Sequence, residues 1–212
     1  MKSLPLDSKR EELIAMEWFA FQHVNNAGGR ADCQDDLDTF LLMRRAQYSA
    51  WPDELVSSFA RDMSEASISG RNLIAEKYAW MMESTAPEEF EAIKGLLPAL
   101  SEEAESLIAR IMEIYNGWTA EYFSRCPLLS SNGRPARSSG DSGGTSIETY
   151  MRGELRTYSL RTLRLFLDHA QQLKSAGRNL ALMIMDYTVK QYGYADADDA
   201  ERRLAAARGG RP

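Results

Sequence analysis

The sequence has few of the residues on which familiar chemistry is built. Cysteine occurs twice, at Cys33 and Cys126, far apart and with no CxxC partner, which argues against a disulfide framework or a zinc knuckle. Histidine is equally scarce. Ala20 and Phe166 stand three residues before His23 and His169, so the Glu-x-x-His pairs of a ferritin-like di-iron bundle are missing. Positive charge does not dominate: 25 Lys and Arg against 31 Asp and Glu leave a net charge of −6, the reverse of a nucleic-acid binder. No apolar run approaches the roughly 20 residues that cross a bilayer. The opening MKSLPLDSKREEL is charged throughout, unlike a secretory leader. Nucleophile elbow, phosphate-cradling loop and dinucleotide fingerprint are all lacking. These absences point to a soluble cytoplasmic protein that binds neither nucleic acid nor membrane.

What is present is helical periodicity. Leu13, Met16, Ala20 and Val24 mark a helix over 9–26, and Leu107, Ile111, Ile114, Trp118 and Tyr122 a longer one over 101–125. A third stripe, Ile147, Met151, Leu155, Tyr158, Thr162 and Leu165, predicts one helix over 145–175. Thr145 and Glu148 have the spacing of a capping box, Ser101 precedes an acidic first turn, and Pro87 suits a first helical position. No alternating strand pattern appears. With 44% hydrophobic residues over 212 positions, the chain predicts a single all-α domain, a compact bundle of seven to nine helices. Residues 127–144, PLLSSNGRPARSSGDSGG, read as a flexible loop, and the AAARGGRP tail as frayed.

An internal repeat suggests two pseudo-symmetric halves, 28–100 and 133–207. DTFLLMRRAQYS at 38–49 matches ETYMRGELRTYS at 148–159, and Gly-Arg-Asn-Leu recurs at 70 and 177, with offsets of 110 and 107.

Several polar residues fall where apolar ones are expected. Glu76 lies between Leu73 and Trp80 on an apolar face, and a carboxylate there needs a partner or carries a raised pKa. Its neighbour Lys77 points about 100° away. Gly153 inside a helix costs about 1 kcal/mol relative to alanine, and a helix keeps such a residue where a backbone or ligand comes close. Glu154 beside it lies one turn from Tyr150 and Thr157. In GGRADCQDDLDTF, Asp32, Asp35, Asp36 and Asp38 precede or open a helix, where acids are favoured, which accounts for some of the four. Asp36, Phe40, Met43 and Gln47 then share one inward face. Arg44 lies among Leu37, Leu41 and Tyr48, the setting in which an arginine holds a buried carboxylate.

GGRADCQDDLDTF, GRNLIAEKYAWMMEST and TSIETYMRGELRTYS together resemble the bacterial family catalogued as domain of unknown function 4125, over residues 10–201. The match runs through Gly28–Arg30, Cys33–Asp36, Met43–Gln47, Gly70–Ala79, Met81-Met82 and Thr145–Leu155. The resemblance implies no activity, but it places these polar residues in a shared signature, which favours a site over scattered charge. Family members often carry Asn-Glu before Gly-Gly-Arg, where this chain has Asn26-Ala27.

The expected function is a small-molecule enzyme with acid–base chemistry of a lyase, isomerase or hydrolase. Its cavity lies between the 36–50 helix, the 70–84 helix and the start of the 145–175 helix. Arg30, Arg71 or Arg152 would bind an anionic metabolite, with Asp36, Arg44 and Glu148 completing the pocket. Glu76 or Glu154 would move a proton, and Tyr150, Asn72 or Gln47 would hold a developing oxyanion. No cofactor is required. Two alternatives stay open: a non-catalytic binding or scaffold protein, and a divalent-metal site of Asp36, Glu76 and Glu154 oxygens. Spare aromatic and methionine content leaves room for a homodimer.

Overall fold

The computed structural model describes residues 5–25, 29–137 and 145–209. Among them there is no strand, and eleven helices form the fold. The first half holds α1 (Ser8–Gln22), α2 (Leu37–Ser49), α3 (Asp53–Ile68), α4 (Leu73–Thr85) and the short α5 (Pro87–Ile93). The second holds α6 (Glu102–Arg125), α7 (Pro127–Ser130), α8 (Ile147–Leu155), α9 (Leu160–Ser175), α10 (Leu180–Lys190) and α11 (Ala197–Gly209).

The count exceeds the expected range partly because the 145–175 stripe is two helices. Ser159 leaves helical geometry (φ −63°, ψ 159°) and its side chain accepts from the Thr162 amide, so a new helix is capped where the apolar stripe runs on unbroken. The start also shifts by one residue. Ser146, not Thr145, caps α8 by accepting from the Thr149 amide at 3.0 Å. The described residues of the 127–144 segment, 127–137, are tied to the fold: α7 opens them, and the carbonyls of Pro135 and Ala136 accept from the Ile147 and Glu148 amides. The orphan donors at the α8 start thus find main-chain partners. Residues 138–144, Asn26-Ala27-Gly28 and 210–212 lie outside the described residues.

The two Gly-Arg-Asn-Leu turns are built alike. Gly70 and Gly177 adopt positive φ (74° and 65°), and Asn72 and Asn179 cap α4 and α10. Each asparagine also donates to a distant helix carbonyl, Ala20 of α1 and Trp118 of α6. The halves are exchanged in packing: α4 lies on α8, and α10 lies on α2. At the centre, Trp51 meets Tyr48, Phe59, Tyr158 and Phe166 at ring separations of 4.9, 6.1, 6.2 and 5.6 Å.

A buried charge cluster beside an aromatic cavity

Two helix faces carry unexpected charge into the core. On α1 the buried positions are Leu13, Ile14, Glu17 and Phe21, a face rotated from the expected stripe. On α4 they are Leu73, Ile74, Lys77 and Met81. Glu17 and Lys77 thus sit four residues from an apolar neighbour on either side, each only 1% exposed. Neither was expected as a site residue.

Gly153 explains how Lys77 finds its partner. A Cβ there would stand 2.9 Å from the Lys77 carbonyl oxygen and 2.7 Å from Met81 Cγ, so only glycine lets α8 lie this close to α4. The next residue, Glu154, then receives Lys77 Nζ at 2.5 Å. Its other oxygen accepts from Gln47 Nε2 at 2.7 Å and Tyr158 Oη at 2.9 Å. Arg44 donates to Gln47 Oε1 at 2.7 Å and Tyr150 Oη at 2.9 Å. It meets the carboxylates of Glu17 and Glu154 only at 3.6 Å. Tyr48 closes the network by donating to Glu17 at 2.6 Å.

The two glutamates respond to burial in opposite ways. Burial alone would raise both, because desolvation disfavours charge. At Glu154 the charges of Lys77 and Arg44, with hydrogen bonds from Lys77 and Gln47, win, and its pKa falls to about 2. At Glu17 desolvation outweighs Arg44, and the pKa rises. Tyr150 follows Glu154: burial pushes its phenol up, but Lys77 and Arg44 overcome this and hold it below the ordinary tyrosine value. Lys77 Nζ lies 3.5 Å from the Tyr150 ring centroid and the Arg134 guanidinium 4.8 Å from it.

Beside the cluster opens a cavity of about 440 Å³. Asp36, Phe40, Met43 and Gln47, the expected inward face of α2, all line it, with Arg44, Tyr150 and Glu154. Cys33, Asp36, Thr39, Met43, Gly133 and Arg134 are its solvent-exposed members. Asp36 also caps α2, accepting from the Thr39 amide.

The other expected residues are elsewhere. Glu76 forms a two-pronged ion pair with Arg71, at 2.8 and 2.6 Å, and lines no part of this cavity. Asn72 is a helix cap. Arg30 pairs with exposed Asp35. Glu148 and Arg152 meet at 3.3 Å in a separate cleft of about 270 Å³ that Trp80, Glu83 and Arg156 also line. The anion-binding arginines of the expected pocket are therefore absent from it, except Arg44. Nor do Asp36, Glu76 and Glu154 converge: among the described residues no three of His, Cys, Asp and Glu are grouped to hold a metal ion.

Eleven of the 27 residues that line this cavity, Arg44, Gln47, Tyr150 and Glu154 among them, belong to the sequence signature, and the family profile described only as a protein of unknown function matches residues 8–202. The chain belongs to the DUF4125 family. No curated protein matches it. No solved structure matches it either. Among the described residues of this DUF4125 member, no helix is long and apolar enough to cross a membrane.

Proposed function

We propose that this protein is a small-molecule enzyme in which Tyr150 transfers a proton in the aromatic cavity. The observation that carries the reading is the setting of one phenol: Tyr150 lines the cavity, takes a hydrogen bond from Arg44, and has Lys77 over its ring. Both cations favour the phenolate, which moves the group toward a working pH. As a base, Tyr150 would take a proton from a carbon next to a carbonyl. The electron pair would move onto the carbonyl oxygen, held by Arg44. Return of the proton at a neighbouring position gives isomerisation; departure of a leaving group gives elimination. Glu154 has a different part: at a pKa of about 2 it is a weak base that fixes Lys77 and Gln47. The free thiols Cys33 and Cys126 suit the reducing cytoplasm we propose as its location.

The test is a titration. Tyrosine ¹³Cζ resonances, assigned with Tyr150→Phe, should show Tyr150 ionising below the usual value near 10, and Lys77→Met should raise it. A wild-type Tyr150 that titrates at or above 10 sinks the acid–base reading.

A second reading rests on Glu154, which is bonded by Lys77, Gln47 and Tyr158 as a structural anchor would be. In a purely binding protein, Tyr150→Phe would leave ligand affinity intact with no turnover to lose.

A further inference from the structure

The walls of the cavity say more about the occupant than the charge cluster alone. Nine of its 27 lining residues are Phe, Trp or Tyr, a third of the wall against 9% of the chain. They come from distant elements, Phe21, Phe40, Tyr78, Tyr115, Tyr122 and Phe166 among them. Three methionines, Met43, Met151 and Met185, complete the apolar surface and can adjust to a ring edge. Flat rings give such a wall more contact than a flexible polar metabolite would, through offset and edge-on stacking. Size agrees. A void of about 150 Å³ admits one benzene, so a cavity of 440 Å³ suits about two to three rings.

One spot on this wall can take an anionic oxygen. Guanidinium carries five N–H donors, yet Arg44 makes its hydrogen bonds to neutral oxygens and stays 3.6 Å from either carboxylate. Of the cluster's four charged groups only Arg44 and Glu154 line the cavity, and the Glu154 carboxylate is already taken up by Lys77, Gln47 and Tyr158. Arg44 is left as the charge of the buried end that can turn to a ligand. The carboxylate at the exposed end, Asp36, is already bound as a helix cap, and a second cation of the wall, Arg134, lies over the Tyr150 ring.

We infer that the cavity binds a flat aromatic ring system of about two to three rings carrying one anionic oxygen, with the oxygen at Arg44 and the rings against the aromatic wall. This narrows the small anionic metabolite expected from the sequence to an aromatic one. It rests on the reading above only in taking this cavity as the site, and binding does not depend on proton transfer.

Calorimetry with four probes tests it: 2-naphthoate, naphthalene, 2-naphthylmethylammonium and succinate. Naphthoate should bind at least tenfold more tightly than each of the others. Ile184 is an apolar lining residue on α10, and Ile184→Trp fills the cavity and should abolish naphthoate binding in a folded protein. Arg44→Met, where it folds, should weaken naphthoate at least tenfold and leave naphthalene unchanged. Succinate binding as tightly as naphthoate, naphthoate failing to bind, or unaltered affinity in Ile184→Trp would each overturn the proposal. If naphthoate binds as expected while Tyr150 titrates like a free tyrosine, the ligand class stands and the acid–base reading alone falls.

Discussion

The two faces of α8 carry the same kinds of residue and use them in opposite ways. On one face Glu154 is 4% exposed and is bonded by Lys77, Gln47 and Tyr158, each from outside its own turn or its own helix. On the other, Glu148 and Arg152 pair one turn apart, and the Arg152 side chain is 38% exposed. The first pairing is a commitment, because a charge removed from water must keep its partner. The second is optional, since water can replace either partner. Charge type therefore says little about importance in this fold; the packing behind the charge decides it.

The comparison can be broken most severely at Glu154. Glu154→Ala leaves Lys77 and Arg44 buried without their shared carboxylate, and should destabilise by about 3–5 kcal/mol in urea unfolding. Acid should produce a related loss in the wild type. Glu154 has a folded pKa near 2 against an ordinary 4.5, so its stabilisation is present above about 4.5 and disappears as pH falls toward 2. That contribution is on the order of 3 kcal/mol, and it should be missing from the pH profile of Glu154→Gln. Glu17 has the opposite sign. Its raised pKa means that its favourable contribution is full at low pH and is lost as pH rises from the ordinary carboxylate value through the folded one. Gly153→Ala comes next: its Cβ meets the α4 backbone at 2.9 Å, and prising the helices apart should cost about 1–3 kcal/mol despite the better helix propensity. On the outer face, Arg152→Ala should change stability by less than about 0.5 kcal/mol. A large loss there would erase the contrast between the faces.

Much of this arrangement was legible in the residues. Gly153 in a helix signalled a close approach, and α4 supplies it. Arg44 among apolar neighbours signalled a buried carboxylate, and both Glu17 and Glu154 lie near it. The α2 face of Asp36, Phe40, Met43 and Gln47 was also readable from spacing. Lys77 was not. Glu76 and Lys77 are adjacent on α4, about 100° apart, and both flank apolar positions, so the helix alone does not say which one turns inward. The deciding partner of Lys77 is 77 residues away, and that of Glu76 is Arg71, five residues back. Glu17 was hidden for a related reason, since Leu13 belongs both to the stripe expected on α1 and to the face that is buried. Local spacing identifies stripes, but a buried charge is chosen by what packs onto it.

The exchange of helices between the halves has a consequence for how the chain is made. During synthesis α2 leaves the ribosome roughly 140 residues before α10, the helix it packs against. At about 5–20 residues per second, its apolar face waits on the order of 10 s for cover. For that interval the part of the cavity wall that α10 supplies, Leu180, Ala181, Ile184 and Met185, does not yet exist, and the apolar surface it closes is open to any chaperone or neighbouring nascent chain within reach.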